Sequence, residues 1–369
     1  MTKIGVIQYG LGPIGSEIAR LVVRREGLEL VGGLDIDPAK VGKDVGQVIG
    51  LGRPLGLAVS DDPCTVLARA GAEVVLHSTG SHLEQIYPQL AEIIEAGLSV
   101  ISTSEELAYP WAQHPDLAEK LDQLAREHGV TVLGTGVNPG FIMDTLSIVL
   151  SGVCQEVRRV MAKRVVDAAK RRLRLQQKVG AGLSVEEFEE RVRAGTVRHV
   201  GLTESVALIA DALGWQLDGI EETIEPVIAE RPVRSEFIAV EAGQVAGVRQ
   251  VGWGLKDGQA AIVLDLRVYL GAPEGEGDSI LIEGTPQVEM TVRGVHGDLA
   301  TAAMVVNAIP RVLAAPPGLM TMKDLPPVCA YHQMGRLIGP RASRTSPPGG
   351  RKPPPSGARG RIDRLGAST

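Results

Sequence analysis

Hydrophobic positions along the first 150 residues follow two alternating patterns. Short apolar runs predict buried strands at 3–9, 28–35, 73–78, 98–102 and 130–133. Apolar residues spaced three and four apart predict amphipathic helices between them, at 13–26, 83–96 and 115–128. Strands that alternate with helices are typical of a parallel sheet whose right-handed crossovers cover both faces. We therefore predict a doubly wound α/β domain over residues 1–150.

The pattern changes after residue 150 to runs of strands with few intervening helices. Helices are predicted at 185–194 and 203–213, and strands at 220–229, 234–242, 245–254, 259–270 and 286–293. Because consecutive strands joined by Gly-rich turns favour antiparallel pairing, we predict an α+β domain with a mainly antiparallel sheet over residues 151–296.

The chain beyond residue 296 has two further parts. Residues 297–330 open with an apolar helix at 297–314, which we expect to be interrupted at Pro310 and to return to the first domain. Residues 339–369 are dense in Pro, Gly, Ser and Arg and contain almost no large apolar residues. Such a segment buries too little surface to offset its ordering entropy, so we predict a disordered basic tail.

Composition narrows the function classes. Hydrophobic residues make up 44% of the chain but aromatic residues only 3%, so aliphatic side chains must build the core. The net charge of −6 argues against nucleic acid as a partner, since such binding needs a basic surface. No uncharged apolar run reaches the ~20 residues of a membrane span, and the N-terminus lacks a secretion signal pattern. We expect a cytoplasmic protein without a membrane partner.

Cysteine and histidine spacing gives no sign of a metal site. Cys64, Cys154 and Cys329 are odd in number and far apart, and the seven histidines lack ligand spacing. We therefore expect neither a disulfide framework nor a bound metal.

A glycine motif follows the first predicted strand and opens the first predicted helix: Gly10, Leu11, Gly12, Pro13, Ile14 and Gly15. In this context G-x-G-x-x-G is the Rossmann dinucleotide-binding fingerprint. Gly10 permits the tight turn, Gly12 lets the backbone approach the pyrophosphate, and Gly15 allows close packing of helix on strand. The helix N-terminus attracts the phosphates, so the cofactor is expected to be NAD or NADP.

Two further segments are predicted to contact the cofactor. Asp35 ends the second strand, 20 residues after Gly15, where a carboxylate accepts from the ribose hydroxyls and favours NAD. Lys40 and Lys43 follow and would partly neutralise a 2′-phosphate, with solvated surface lysines as the alternative, so the choice between NAD and NADP stays open. Residues Ser78, Thr79 and Gly80 follow another strand and are assigned to the ribose and nicotinamide side, with a plain turn as the alternative.

Candidate catalytic residues follow the next two strands. Glu105 and Glu106 lie just beyond strand 98–102, where a carboxylate would face a nicotinamide ring; the alternative is that they begin the next helix. Asn138 and Phe141 lie in the glycine-rich turn after strand 130–133 and are expected to face the same crevice.

Several segments together resemble one known family. The segments GVIQYGLGPIG, VLHSTGS, STSEELAYP, GTGVNPGF, RVVDAAKRR, LQQKVGAGLS and RHVGLTES resemble the 2,4-diaminopentanoate dehydrogenases and the related native amine dehydrogenases. The resemblance covers about residues 1–330 and implies a Rossmann domain of the dihydrodipicolinate-reductase type. It implies amine chemistry at a sheet-end glutamate, for which Glu105 is favoured over Glu106. It also places His199 in the pocket, a structural histidine being the alternative.

The charged segment 163–172 offers groups for an amino-acid-like substrate. Arg164 is suited to a bidentate carboxylate contact and Asp167 to an ammonium, although an ion-paired, solvated helix face is the competing interpretation. Amine oxidation also needs a base, and a carboxylate with a raised pKa both binds the cation and accepts the proton.

The leading hypothesis is an NAD(P)-dependent amine dehydrogenase that converts a primary amine, such as 2,4-diaminopentanoate, to a ketone and ammonia, and reverses the reaction. A dihydrodipicolinate-type imine reductase is a second hypothesis, but the sequence lacks the E-L-H-H-x-x-K pattern of those enzymes. A non-catalytic NAD-sensing protein is a third, against which the Glu105/Glu106 pair argues weakly. We expect a homodimer, by analogy with folds that pair through the sheet of the second domain.

Overall fold

The structure is a computed structural model that describes residues 3–69, 71–272 and 277–331. The segment 339–369, for which we predict a disordered tail, lies outside these residues. Within them, no helix is both long and apolar enough to cross a membrane.

The first 150 residues form the predicted alternation of strands and helices. The elements are β1 (Ile4–Tyr9), α1 (Pro13–Arg24), β2 (Leu28–Leu34), α2 (Val45–Val48), α3 (Pro63–Leu67), β3 (Ala72–His77), α4 (Leu83–Glu95), β4 (Ser99–Ser102), α5 (Pro115–His128), β5 (Thr131–Gly134) and α6 (Thr145–Ser151). All strand pairs of this sheet are parallel, in the order β14-β5-β4-β3-β1-β2, where β14 (Gly318–Met320) comes from the end of the described chain.

Helices cover both faces of this parallel sheet. Successive strand residues point to opposite faces, so Val74 and Leu76 pack with α1 while Val75, between them, packs with α4 and α5. The layer of α1 is completed by α10 (Gly297–Ala314), whose Val305 and Ile309 belong to the same buried cluster. The predicted doubly wound Rossmann fold is confirmed.

The second sheet has six strands in the order β13-β12-β6-β11-β10-β7. Its elements are β6 (Glu156–Asp167), α7 (Leu173–Lys178), α8 (Val185–Arg193), α9 (Leu202–Ala212), β7 (Gly219–Ile228), β10 (Val245–Lys256), β11 (Gln259–Tyr269), β12 (Gly277–Thr285) and β13 (Val288–Val292). Only the pair β6–β11 is parallel, which confirms a mainly antiparallel sheet. The sequence pattern missed β6 and β12, because charged residues break the apolar runs of β6 and the Gly-rich segment before β12 resembles a turn.

Two predicted elements differ in the structure. The predicted strand 234–242 is instead a small hairpin of β8 (Val233–Arg234) and β9 (Ala239–Val240). Helix α10 continues through Pro310 without interruption. Proline cannot donate to the carbonyl four residues earlier, and the Tyr331 hydroxyl donates to that Val306 oxygen instead, at 3.3 Å.

Candidate active site

A cavity of about 410 Å³ lies between the carboxyl ends of the parallel strands and the second domain. Its Rossmann side consists of the start of α1, residues 78–81 after β3, Glu105 after β4 and residues 136–139 after β5. Its opposite side includes α7, with Arg198 and His199 before α9. Ligands bind at this edge of open α/β sheets, so the cavity is the candidate active site.

The three motif glycines occupy different surroundings. A Cβ at Gly10, where φ is +91°, would lie 2.6 Å from the Ser78 carbonyl oxygen, and a Cβ at Gly15 would lie 1.9 Å from the Gly10 oxygen. At Gly12 no described residue other than its two chain neighbours has an atom within 4 Å of such a Cβ. The structure therefore needs Gly10 and Gly15 for its own packing, whereas Gly12 leaves open space at the start of α1 for a ligand phosphate.

Asp35 lies at the end of β2 beside this loop. Its Oδ2 accepts from the Leu11 amide and from Lys40 Nζ, both at 2.8 Å, and its Oδ1 accepts from the Asp37 amide at 2.9 Å. Burial acts to raise the pKa of Asp35, but the hydrogen bonds from Lys40 and the two amides hold it below its ordinary value. The neighbouring Ile36, for which no sequence pattern predicted a role, is 84% exposed and offers an apolar surface next to this ionised carboxylate.

Buried polar side chains hold the loop at residues 78–80. Gln8 Nε2 donates to the Gly10 carbonyl at 2.9 Å and to Ser78 Oγ at 3.0 Å, which ties the loop to the glycine turn. His77 Nε2 lies 2.8 Å from Gln89 Oε1, which also accepts from the Thr79 hydroxyl at 2.6 Å. Burial lowers the pKa of His77 to about 4, so the imidazole is neutral. In the sequence, the polar residue Gln8 within an otherwise apolar strand is the feature that could have indicated these hydrogen bonds to the loop.

The adjacent carboxylates Glu105 and Glu106 have different surroundings. Glu106 accepts from the Leu83 amide at 2.6 Å, and its oxygens lie 2.8 Å from His82 Nδ1 and 3.1 Å from His114 Nε2. It thereby caps the start of α4 and is held away from the cavity lining. Glu105 lines the cavity. Burial raises the pKa of Glu105, against the opposing effects of the Lys178 charge and a hydrogen bond with Ser81.

Asn138 and His199 line the cavity together. Asn138 Nδ2 lies 3.1 Å from His199 Nε2, and Asn138 Oδ1 is buried without a hydrogen-bond partner among the described residues. Burial, reinforced by the nearby charge of Lys178, lowers the pKa of His199 to about 3. The imidazole is therefore neutral. Phe141 does not join the cavity lining, because it packs between the cores of the two domains.

Arg164 and Asp167 line a separate, smaller cavity of about 180 Å³. Arg164 donates to Asp278 Oδ1 at 2.7 Å, and both side chains are 5% exposed. The two residues are direct cross-strand neighbours on β6 and β12, which explains the pairing. Asp167 accepts from the amides of Ala169 and Gly271 at 3.0 and 3.3 Å. The structure therefore does not bring either residue to Glu105.

Other cations of the second domain do line the main cavity. These are Arg171, Arg172, Arg174, Lys178 and Arg198. No sequence pattern predicted a role for Arg174, Lys178 or Arg198, although Arg174 and Lys178 are four residues apart, which is the spacing of one helix face. Within the described ranges, no group of three or more His, Cys, Asp and Glu side chains is placed to hold a metal ion.

Comparisons with known proteins agree with the geometry. A family model described as 2,4-diaminopentanoate dehydrogenase C-terminal domain matches residues 141–338, and one described as dihydrodipicolinate reductase, N-terminus, matches residues 2–107. The 2,4-diaminopentanoate dehydrogenase of Acetoanaerobium sticklandii is 37% identical over 88% of this chain and 94% of its own length. The amine dehydrogenase of Streptomyces virginiae is 25% identical over 90% of this chain and 99% of its own.

A solved structure of amine dehydrogenase from Mycobacterium smegmatis is also similar. It is 29% identical, has a TM-score of 0.80, and the match covers 90% of this chain and 98% of the other. The resemblance inferred from the sequence segments is thus confirmed, and the chain belongs to the 2,4-diaminopentanoate dehydrogenase family.

Proposed function

We propose that this protein is an NAD(P)-dependent amine dehydrogenase, which oxidises a primary amine to a ketone and ammonia and catalyses reductive amination in reverse. The observation that carries the proposal is the position of Glu105, a carboxylate with a raised pKa in the same cavity as the start of α1 and the loop at residues 78–80. Family membership supports the same activity.

The cofactor is a nicotinamide dinucleotide, and the residues present fit it. The open space at Gly12 accommodates the pyrophosphate, Asp35 is an ionised acceptor for ribose hydroxyls, and Ser78–Gly80 border the cavity. When bound, the oxidised nicotinamide supplies the acceptor for the hydride that leaves the substrate carbon.

Glu105 handles the protons of the reaction in this proposal. Its carboxylate binds the substrate ammonium and removes a proton from nitrogen before the carbon-bound hydrogen leaves as hydride. Water then adds to the resulting iminium, and breakage of the C–N bond of the carbinolamine releases ammonia and the ketone. Before this addition Glu105 releases its first proton to solvent. It then accepts a proton from the attacking water, returns it to the nitrogen, and takes up the proton of the carbinolamine hydroxyl as the C–N bond breaks. Asn138 lines the same cavity.

A direct assay tests the proposed activity. Reduction of NAD⁺ and NADP⁺ is measured with a panel of amines that includes 2,4-diaminopentanoate, and oxidation of the reduced cofactors with the matching ketones plus ammonium. Cofactor binding without turnover of any amine would favour the NAD-sensing alternative. The reductase alternative has narrower support, since the family model of the dihydrodipicolinate reductase N-terminus matches residues 2–107.

Preference for NAD over NADP is the finer proposal, and Asp35→Ala tests it. The substitution removes the acceptor for the ribose hydroxyls and frees Lys40, which pairs with Asp35 at 2.8 Å, to meet a 2′-phosphate. We expect the Kd of NADH to rise roughly tenfold, and that of NADPH to stay constant or fall, in fluorescence titrations. Equal weakening of both cofactors would instead indicate that Asp35 supports the glycine loop alone.

We also propose a homodimer that pairs through the second sheet. Trp253, Val263, Met161 and Leu281 are partly exposed direct neighbours across β10, β11, β6 and β12 and form one apolar row. Their strand neighbours Ile262 and Leu264 face the opposite side, toward α9. Sedimentation should give twice the mass of one chain, and Val263→Arg should give a folded monomer. A monomeric wild type would refute the proposal.

A further inference from the structure

The turn at residues 198–201, before α9, packs against the proposed base. His199 lines the cavity, and its Nε2 lies 3.1 Å from Nδ2 of Asn138 on the Rossmann side. At Gly201, where φ is +104°, an added Cβ would lie 2.9 Å from the Cβ of Glu105. Because this turn contacts Glu105 and carries His199, its exact position determines how the two side chains are placed relative to each other.

One buried side chain, Gln250 on β10, holds the backbone of His199. Its Oε1 accepts from the His199 amide at 2.8 Å, and its Nε2 donates to the His199 carbonyl at 2.7 Å. Gln250 is fully buried and lies outside the cavity lining. A carboxamide combines an acceptor and two donors on one planar group. Gln250 therefore binds both backbone groups of His199, as the opposite residue of a hydrogen-bonded antiparallel pair does.

A second side chain fixes the orientation of the Gln250 amide. On β7, Glu222 Oε1 accepts from Gln250 Nε2 at 2.7 Å, and Glu222 Oε2 lies 3.0 Å from Arg198 Nη2. As the ion-pair partner of Arg198, Glu222 can only accept, so the nitrogen of the Gln250 amide must face it. The oxygen of the amide is then left for the His199 amide. The four residues form a closed ring of contacts that ties the turn to two strands.

Helix α9 itself is held by other contacts. Leu202 meets β10 at Gly252, where an added Cβ would lie 3.3 Å from the Leu202 Cγ. Val206 meets the same strand at Gly254, where a Cβ would lie 2.9 Å from the Val206 Cγ1. Both side chains are fully buried in the core of the second domain. Loss of the Gln250 hydrogen bonds should therefore release the turn and leave α9 in place.

We infer that Gln250 is a positioning residue of the reaction, which holds His199 at the cavity wall where the imidazole contacts the substrate that reacts at Glu105. The inference rests on the proposed function and adds to it a residue outside the cavity. Satisfaction of buried backbone groups alone is the alternative. The contact of the turn with Glu105 favours the functional role, because the rate of a reaction depends steeply on the placement of the groups around the reacting atoms.

A double-mutant cycle tests the role of Gln250. Steady-state oxidation of 2,4-diaminopentanoate is measured with wild type, Gln250→Met, His199→Ala and the double variant. Methionine keeps the length of the side chain without its hydrogen bonds. It should lower kcat/KM roughly 10–100-fold, as expected when a contacting group moves by about 1 Å, while the Kd of NADH stays constant. In the His199→Ala background Gln250→Met should cause no further loss, because it acts through His199.

Two results of this cycle would overturn the inference. One is an unchanged kcat/KM in Gln250→Met, and the other is a pair of losses that multiply in the double variant. Thr131→Val is the matched control, since Thr131 is 3% exposed, lies outside the cavity lining at the start of β5, and donates to the Pro316 carbonyl at 2.9 Å. It also removes a buried hydrogen bond, so Tm should fall while kcat/KM stays that of wild type.

Hydrogen exchange keeps the inference separate from the proposed function. If wild type oxidises no amine, the proposed function fails, but exchange at residues 198–201 needs no turnover. The His199 amide should exchange faster in Gln250→Met than in wild type or Thr131→Val, with α9 unchanged. Equal exchange in all three proteins would show that Gln250 does not hold the turn and would overturn the inference.

Discussion

Replacement of Glu105 by glutamine is expected to lower kcat for amine oxidation by about 10²–10⁴-fold, the usual contribution of a positioned acid or base. Glutamine keeps the size of the side chain and its hydrogen bonding, but it cannot accept a proton from the substrate ammonium or from water. The Kd of NADH should change little, because the proposed cofactor contacts lie in the glycine loop, at Asp35 and at residues 78–80.

Glu106→Gln is the matched control, because the two residues are adjacent and chemically identical. The Glu106 side chain accepts from the Leu83 amide and contacts His82 and His114, so loss of these contacts should reduce the free energy of unfolding by about 1–3 kcal/mol. Its kcat should remain near that of wild type. Near-normal turnover by both glutamine variants would rule out this pair as the source of the base.

Glu106→Gln is expected to lower the free energy of unfolding, whereas Glu105→Gln is not. Burial raises the pKa of Glu105, so folding favours its protonated form, and the stabilisation present at acidic pH is lost as pH rises through the raised pKa. At higher pH the buried carboxylate is ionised at the expense of stability. Glu105→Gln should therefore keep or raise Tm at neutral pH while it loses activity.

The pH profile separates Glu105 from its neighbour His199. Oxidation requires the ionised carboxylate, so kcat/KM should rise with pH through the raised pKa of Glu105, in addition to the rise from the substrate ammonium. The contribution from Glu105 should disappear in Glu105→Gln. His199, whose pKa is lowered to about 3, stays neutral above that value and adds no step.

The sequence places the residues of the proposed cofactor side together more readily than those of the proposed substrate side, for a physical reason. Gly10, Gly12, Gly15 and Asp35 belong to one local strand–turn–helix–strand unit, which the short-range sequence pattern determines. The orientation of Glu105 against Glu106 depends instead on His82 and His114 from other segments. No local pattern contains those contacts.

Long-range contacts also determine that Arg164 lies outside the main cavity and that Lys178 lies in it. Arg164 pairs with Asp278, 114 residues later in the chain, on a strand that the sequence pattern missed. Lys178 reaches the cavity because α7 is anchored to the small hairpin through Gln176 and Ser235. Helical spacing indicates that Arg174 and Lys178 share a face, but only the tertiary packing determines that this face meets the cavity.

Substitution of Gly12 by alanine is expected to raise the Kd of NADH roughly 10–100-fold without loss of stability. Gly12 has φ of −68°, which alanine adopts without strain, and no described residue beyond its two chain neighbours lies within 4 Å of the added Cβ. The methyl group should therefore enter the space that the pyrophosphate requires, at a penalty like that of an extra methylene in a packed site. Tm should stay close to that of wild type.

Gly15→Ala adds the same methyl group at a position where the surrounding atoms of the protein leave no space for it. Its Cβ would lie 1.9 Å from the Gly10 oxygen and 2.5 Å from Ser78 Oγ, so the backbone of the glycine turn must move. We expect Tm to fall measurably, with cofactor binding lost as a consequence. Thermal melts and NADH titrations of both variants separate the two roles. If Gly12→Ala bound NADH as tightly as wild type, the open space at the start of α1 would not be the pyrophosphate site, and the proposed orientation of the cofactor toward Glu105 would lose its anchor.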